Sequence, residues 1–172
     1  MAKALELLLD STATSAVTDI WAQLDASGIP SMARASHRLH RPHVSLINVE
    51  TLTVTDELIA RLTPLMNTEL AMTSLAIFPG SQSVLFLGVC VTKTLLDNHT
   101  AVHEVIPDKR TGPWEIYQPG SWVPHCALAL RLDADAVSKA FSLLHPFRPL
   151  TARVVGISVV DSETGEHEHL LG

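Results

Sequence analysis

Pro42-His43-Val44-Ser45-Leu46 and Pro124-His125-Cys126-Ala127-Leu128 decide the reading of this chain, because they share proline, histidine and leucine in register. Each reads as the opening of a β-strand. Side chains alternate across a strand, so His43 and Ser45 point to one face while Val44 and Leu46 enter a core. The same alternation pairs His125 with Ala127 and buries Cys126 and Leu128.

Working outward, the order of elements before the first stretch matches the order before the second. Residues 3–9 read as a short strand, and Ser11 or Thr12 caps a helix that runs to about Ser27, where Gly28 and Pro30 stop it. His43 to Val49 reads as a strand, Thr55 to about Met66 as a helix and Leu70 to Phe78 as another strand. Pro79-Gly80 is a turn signal. From Val84 the series begins again, with a strand to Val91, a helix from about Lys93 to Val105 and a long loop from Pro107 to Val123. A strand from His125, a helix opened by Asp133 or Asp135 and running to Leu144, and a strand from Leu150 to Val160 complete it. A turn at Ser162 to Gly165 then leads to a last short strand.

Matched points keep a nearly constant spacing: Leu5 with Leu85, His43 with His125, and Leu70 with Thr151. Copies of about 80 residues are too long for a solenoid repeat and point to two lobes about an approximate two-fold axis. The repeats span approximately residues 3–80 and 83–161, followed by the last strand. No linker rich in glycine, serine or proline divides them, so residues 1–172 are expected to form a single two-lobed domain.

A chain of 172 residues with 47% hydrophobic and 17% charged side chains can bury its own core. Twelve basic against eighteen acidic residues give a net charge of -6, which disfavours a long nucleic-acid footprint. A local basic stretch does precede His43, with Arg34, Arg38 and Arg41 interleaved with His37 and His40, and it suits a short phosphorylated ligand. The longest near-apolar run, Val84 to Val91, is strand length, and no membrane partner is expected. Met1 to Asp10 is a leucine cluster interrupted by Glu6, without the marks of a secretory signal, so a cytoplasmic location is the expectation. Cys90 and Cys126 sit in apolar segments and read as buried thiols.

Two imidazoles facing one another across a cleft could hold a phosphate between them, one accepting a proton while the other donates one. Their ordinary pKa near 6.5 makes both states accessible around neutrality. On a cyclic phosphate, one ring would deprotonate the attacking water and the other would protonate the departing ribose oxygen. Ser45 would donate a hydrogen bond to a non-bridging oxygen.

The paired His-x-Ser/Thr-x elements in a duplicated α/β chain resemble the two-histidine phosphoesterase superfamily, which includes bacterial 2'-5' RNA ligases and cyclic phosphodiesterases. The resemblance covers nearly the whole chain. It implies that His43 and His125 are catalytic, that Ser45 binds phosphate, and that no metal or organic cofactor takes part. It also implies a 2',3'-cyclic nucleotide or a short RNA end as substrate. The expected fold is α/β (α+β), with antiparallel sheets facing a central cleft, helices outside and a pseudo-two-fold axis; a monomer is favoured. Ala127 departs from the family pattern, since it stands where the second hydroxyl belongs. Either Arg41, Tyr117 or a backbone amide replaces that donor, or the chain has drifted toward binding a nucleotide or phosphorylated metabolite without efficient turnover.

Three of the eight aromatic residues, Trp114, Tyr117 and Trp122, fall on the loop before His125. They read either as a lid whose rings stack on a nucleobase, with Tyr117 and Trp122 the better candidates, or as anchors of a long loop. Arg41 is the foremost of the arginines for steering a phosphate. His99 with His103, and His37 with His40 and His43, have spacings that raise a metal site, but no carboxylate or cysteine motif accompanies them, and solvated histidines are expected. Glu166, His167, Glu168 and His169 read as a charged, solvent-facing edge.

Overall fold

Apolar alternation, helix-capping side chains and turn residues account for every element in a computed structural model that describes residues 2–35, 38–80, 82–107 and 115–172. The order is β1 (Lys3–Leu9), α1 (Ser11–Ala26), β2 (His43–Val49), α2 (Asp56–Leu62), β3 (Glu69–Phe78), β4 (Ser83–Val89), α3 (Lys93–Glu104), β5 (His125–Leu132), α4 (Ala134–Leu144), β6 (Leu150–Asp161) and β7 (His167–Leu171). Both motif histidines open their strands, as the sequence predicts.

The helices begin where a side chain can satisfy the free amides of their first turn. Thr55, Thr92 and Asp133 accept from Leu58 N at 3.1 Å, Leu95 N at 3.1 Å and Ala136 N at 2.8 Å. Such a cap contributes about 1 kcal/mol. The cap of α1 is Asp10 rather than Ser11 or Thr12: its carboxylate accepts from Thr12 N and Ala13 N at 3.0 Å and from Arg153 N at 2.6 Å. That last bond fastens the helix start to β6, and these amides hold the Asp10 carboxyl below its usual range. The helix α2 stops before the expected Met66, because Pro64 has no amide to continue it and the chain tightens into a 3-10 turn over Thr63–Leu65.

All strand pairs are antiparallel, in the order β2-β1-β6-β3-β4-β5, with β7 added to β6. Thus β1 lies between β2 and β6, and β4 lies between β5 and β3. Each arm of the sheet takes its first two strands from one half of the sequence and its third from the other. Each sequence half therefore lends one strand to the other arm. The arms meet where β3 pairs with β6, Leu70 opposite Ala152 and Ala71 opposite Thr151, beside the residues matched in the sequence.

One face of the sheet carries Leu5, Leu7, Val44, Leu46, Leu85, Leu87 and Leu128 into a continuous core beneath the helices. From α1, Ala13, Val17, Trp21 and Leu24 enter that core at helical spacing. Cys126 is buried there as a free thiol, but Cys90 is exposed, since it lies just past the end of β4. Among the described residues no helix is long and apolar enough to cross a membrane.

The strands β2 and β5 stand at opposite ends of the sheet order, yet the sheet curls until they come into contact. Their outward carbonyls lack a strand partner there, and indoles supply it. Trp122 Nε1 donates to Ser45 O at 3.1 Å and Trp21 Nε1 donates to Ala127 O at 3.3 Å. Leu46, skipped by a register shift against β1, offers its carbonyl to His99 Nε2 at 3.1 Å.

Candidate active site

Each motif builds its own histidine clamp. His43 Nδ1 is 2.7 Å from Arg41 O, and His125 Nδ1 is 2.7 Å from Val123 O. A carbonyl accepts only, so Nδ1 carries the proton in both rings and Nε2 is left for chemistry. The intervening Pro42 and Pro124 favour extended backbone at Arg41 and Val123, which sets the clamp before the strand starts.

Both rings line one cleft of about 270 Å³, together with Glu6, Ser45, Tyr117 and Ala127. They are near enough to interact: burial lowers the pKa of His125, its bond to Val123 partly offsets this, and His43 lowers it further. The surroundings of the two rings nevertheless differ. His43 Nε2 lies 3.2 Å from Glu6 Oε1, in a pair that is almost wholly buried. His125 instead meets Phe78 edge-on at 4.9 Å between ring centroids and Phe86 at 5.1 Å. Glu6 and Phe86 follow the matched Leu5 and Leu85, so one structural position holds a carboxylate in one half and a phenyl ring in the other.

Tyr117 closes a 3-10 turn, Glu115–Tyr117, and its hydroxyl interacts with the side chains of Ser45 and Asn48. Burial, with Glu6 adding to it, pushes the phenol up to about 12, so Tyr117 remains a proton-bearing donor in the cleft. Its hydroxyl sits with Ser45, in the first motif, and Tyr117 lines the same cleft as Ala127.

The other sequence candidates fall elsewhere. Trp122 is not on the cleft wall but buried behind it, stacked on His99 with ring centroids 4.0 Å apart. Arg41 helps through its carbonyl, while its side chain is exposed along a neighbouring groove with Thr14, Thr18 and Trp21. Arg34 pairs with Asp25 at 3.2 Å, and Arg38 is exposed. Trp114 and His37 lie outside the described residues. His99 and His103 share a helix face with rings 4.5 Å apart, but His99 is fully buried, not solvated, and burial lowers its pKa to about 4. Among the described residues no group of three or more His, Cys, Asp or Glu side chains is arranged to hold a metal ion. The edge strand is likewise less simple than expected: Glu168 and His169 are exposed, whereas both ring nitrogens of His167 are buried.

Glu6, Phe78 and Phe86 were not singled out by sequence reasoning. Glu6 did leave a trace, as the one charge inside Ala4-Leu5-Glu6-Leu7-Leu8-Leu9, a strand with both faces covered. The phenylalanines left none, because any apolar residue satisfies the same pattern.

The family model described as the 2'-5' RNA ligase superfamily matches residues 11–166. The chain belongs to that superfamily. Solved structures share the fold: Usb1 of Kluyveromyces marxianus is 14% identical over 99% of this chain and 98% of that chain, with a TM-score of 0.51. The same protein with uridine monophosphate gives 13% identity, coverage of 99% and 98%, and a TM-score of 0.52. No curated protein matches the chain in sequence. The matched range includes His43, Ser45, His125 and Ala127.

Proposed function

We propose that the protein is a metal-independent phosphodiesterase that opens a 2',3'-cyclic nucleotide, or hydrolyses or reversibly forms a 2' phosphodiester at an RNA end. The observation that carries this reading is the pair of identically clamped imidazoles, each bonded through Nδ1 to a carbonyl two residues back, on one small cleft. With Nδ1 committed, each Nε2 is the nitrogen left to exchange a proton with a substrate between them. Ser45 and the Tyr117 hydroxyl would steady the non-bridging phosphate oxygens. Membership of the 2'-5' RNA ligase superfamily supports the reaction class, and the Usb1 structure with uridine monophosphate supports a nucleotide ligand.

The cleft suits one nucleotide or a chain terminus, and the net charge of -6 argues against a duplex partner. A cytoplasmic monomer is the setting we favour. One observation favours a second reading, a nucleotide-binding protein with weak turnover: Ala127 brings no hydroxyl to the cleft. Incubating EDTA-treated protein with 2',3'-cyclic nucleotides and following ring opening separates the two. Chelator-insensitive turnover, lost in His43→Ala and His125→Ala, supports the enzyme; tight binding with no ring opening supports the binder.

A further inference from the structure

Glu6 is a carboxylate on a strand buried on both faces, where an unpaired charge is costly. Its partner is His43 Nε2, 3.2 Å away, the nitrogen that the Arg41 carbonyl leaves free. The contact requires one proton between nitrogen and oxygen. Placed on Nε2, it makes the ring a double donor, with Nδ1–H to Arg41 O and Nε2–H to Glu6. His125 has the same Nδ1 clamp, but its ring packs against Phe78 and Phe86. The two halves thus share the Nδ1 clamp and differ in what surrounds the rings: a carboxylate on His43 and phenyl rings on His125.

We propose that Glu6 is a positioning residue that holds a proton on His43 Nε2, making His43 the proton donor and leaving His125 the acceptor. This rests on the phosphodiesterase reading and deepens it. In the hydrolytic direction, His125 Nε2 takes a proton from water as the water oxygen bonds to phosphorus. The bond from phosphorus to the departing ribose oxygen breaks, and that oxygen takes the Nε2 proton of His43. One water is added, one ring is opened, and exchange with solvent returns a proton to His43 and removes one from His125. A separation of 3.2 Å is at the long end for such a bond, so the Nε2 proton can be shared with an incoming ester.

Several other titratable groups lie near this pair. Arg41 and His40 precede β2, Tyr117 stands on the turn beside it, Cys126 and His125 are on β5, and His167 is on β7. Burial lowers the pKa of His167 and raises that of the Cys126 thiol, to about 12, so neither adds a charge near neutrality. Glu6 is the carboxylate that touches His43.

Glu6→Gln keeps the shape and removes the charge, and Glu6→Asp keeps the charge on a shorter arm. In Glu6→Gln the alkaline limb of the rate profile should move toward acid while the acid limb stays, because the carboxylate that meets the Nε2 proton has lost its charge. Above that limb kcat should fall about tenfold or more with KM changed less, and Glu6→Asp should restore part of the loss. NMR of the imidazole nitrogens supplies a readout that needs no turnover: the proton on His43 Nε2 seen in the wild type should be lost in Glu6→Gln, while His125 changes less. An unchanged His43 Nε2 signal in folded Glu6→Gln protein, or an acid limb that moves in place of the alkaline one, overturns the inference and leaves the phosphodiesterase reading standing. Absence of ring opening in the wild type removes that reading, while the nitrogen signals still decide whether Glu6 governs His43.

Discussion

Trp122 lies flat on His99, with ring planes 3° apart and centroids 4.0 Å apart, and the same indole donates its N–H to the carbonyl of Ser45. A buried helix histidine is thereby tied to the strand that carries the first motif. His99 also meets Leu46 O through Nε2, and burial keeps the ring neutral in the folded chain.

The neutral state of His99 makes stability depend on pH. Above about pH 6.5 the ring is neutral in both folded and unfolded chains, and its contribution is fully present. As pH falls toward about 4, the unfolded chain binds a proton that the folded chain refuses, so stability declines through that window. The loss from this ring alone should be about 3 kcal/mol. Urea unfolding at a series of pH values measures it, and His99→Gln should flatten the slope.

Trp21 and Trp122 cap equivalent carbonyls, Ala127 O and Ser45 O, at the two ends of the curled sheet. Replacing either by phenylalanine keeps an aromatic ring but leaves a carbonyl without its donor, a cost of about 1–3 kcal/mol. Denaturant midpoints should fall in both variants. Trp122→Phe should also slow turnover, because Ser45 is loosened.

Ala127 lines the cleft at the place equivalent to Ser45. Ala127→Ser supplies a donor there, and turnover should rise, approaching the roughly 100-fold typical of a single such donor. Steady-state kinetics on a 2',3'-cyclic nucleotide gives the answer; unchanged kcat with normal substrate affinity means another group already serves that oxygen.

The acid limb of the rate profile should lie below the ordinary histidine value of 6.5, because burial lowers the pKa of His125 and a base is lost only when it becomes protonated. Phe86→Gln admits a polar group beside that ring and should move the limb upward. A rate profile from pH 4 to 9 records both.

The strand openings at His43 and His125 were legible because alternation and proline placement act locally, and the repeat was legible because both halves keep the same order of apolar runs. The exchange of β3 and β6 between the arms was not, since strand pairing over such sequence distances leaves no local pattern. The role of Trp122 was not legible for a related reason: a tryptophan near a motif can stack on a ligand or fasten an edge strand, and its partner Ser45 O is 77 positions away. Glu6 was visible as an odd charge in an apolar strand, but its meaning depends on His43 in the neighbouring strand.

The most direct test is a crystal structure with a nucleoside 3'- or 2'-monophosphate bound. The account predicts phosphate oxygens within about 3 Å of the Nε2 atoms of both His43 and His125. A phosphate held by one ring alone, or seated in the neighbouring groove beside Arg41, would contradict it.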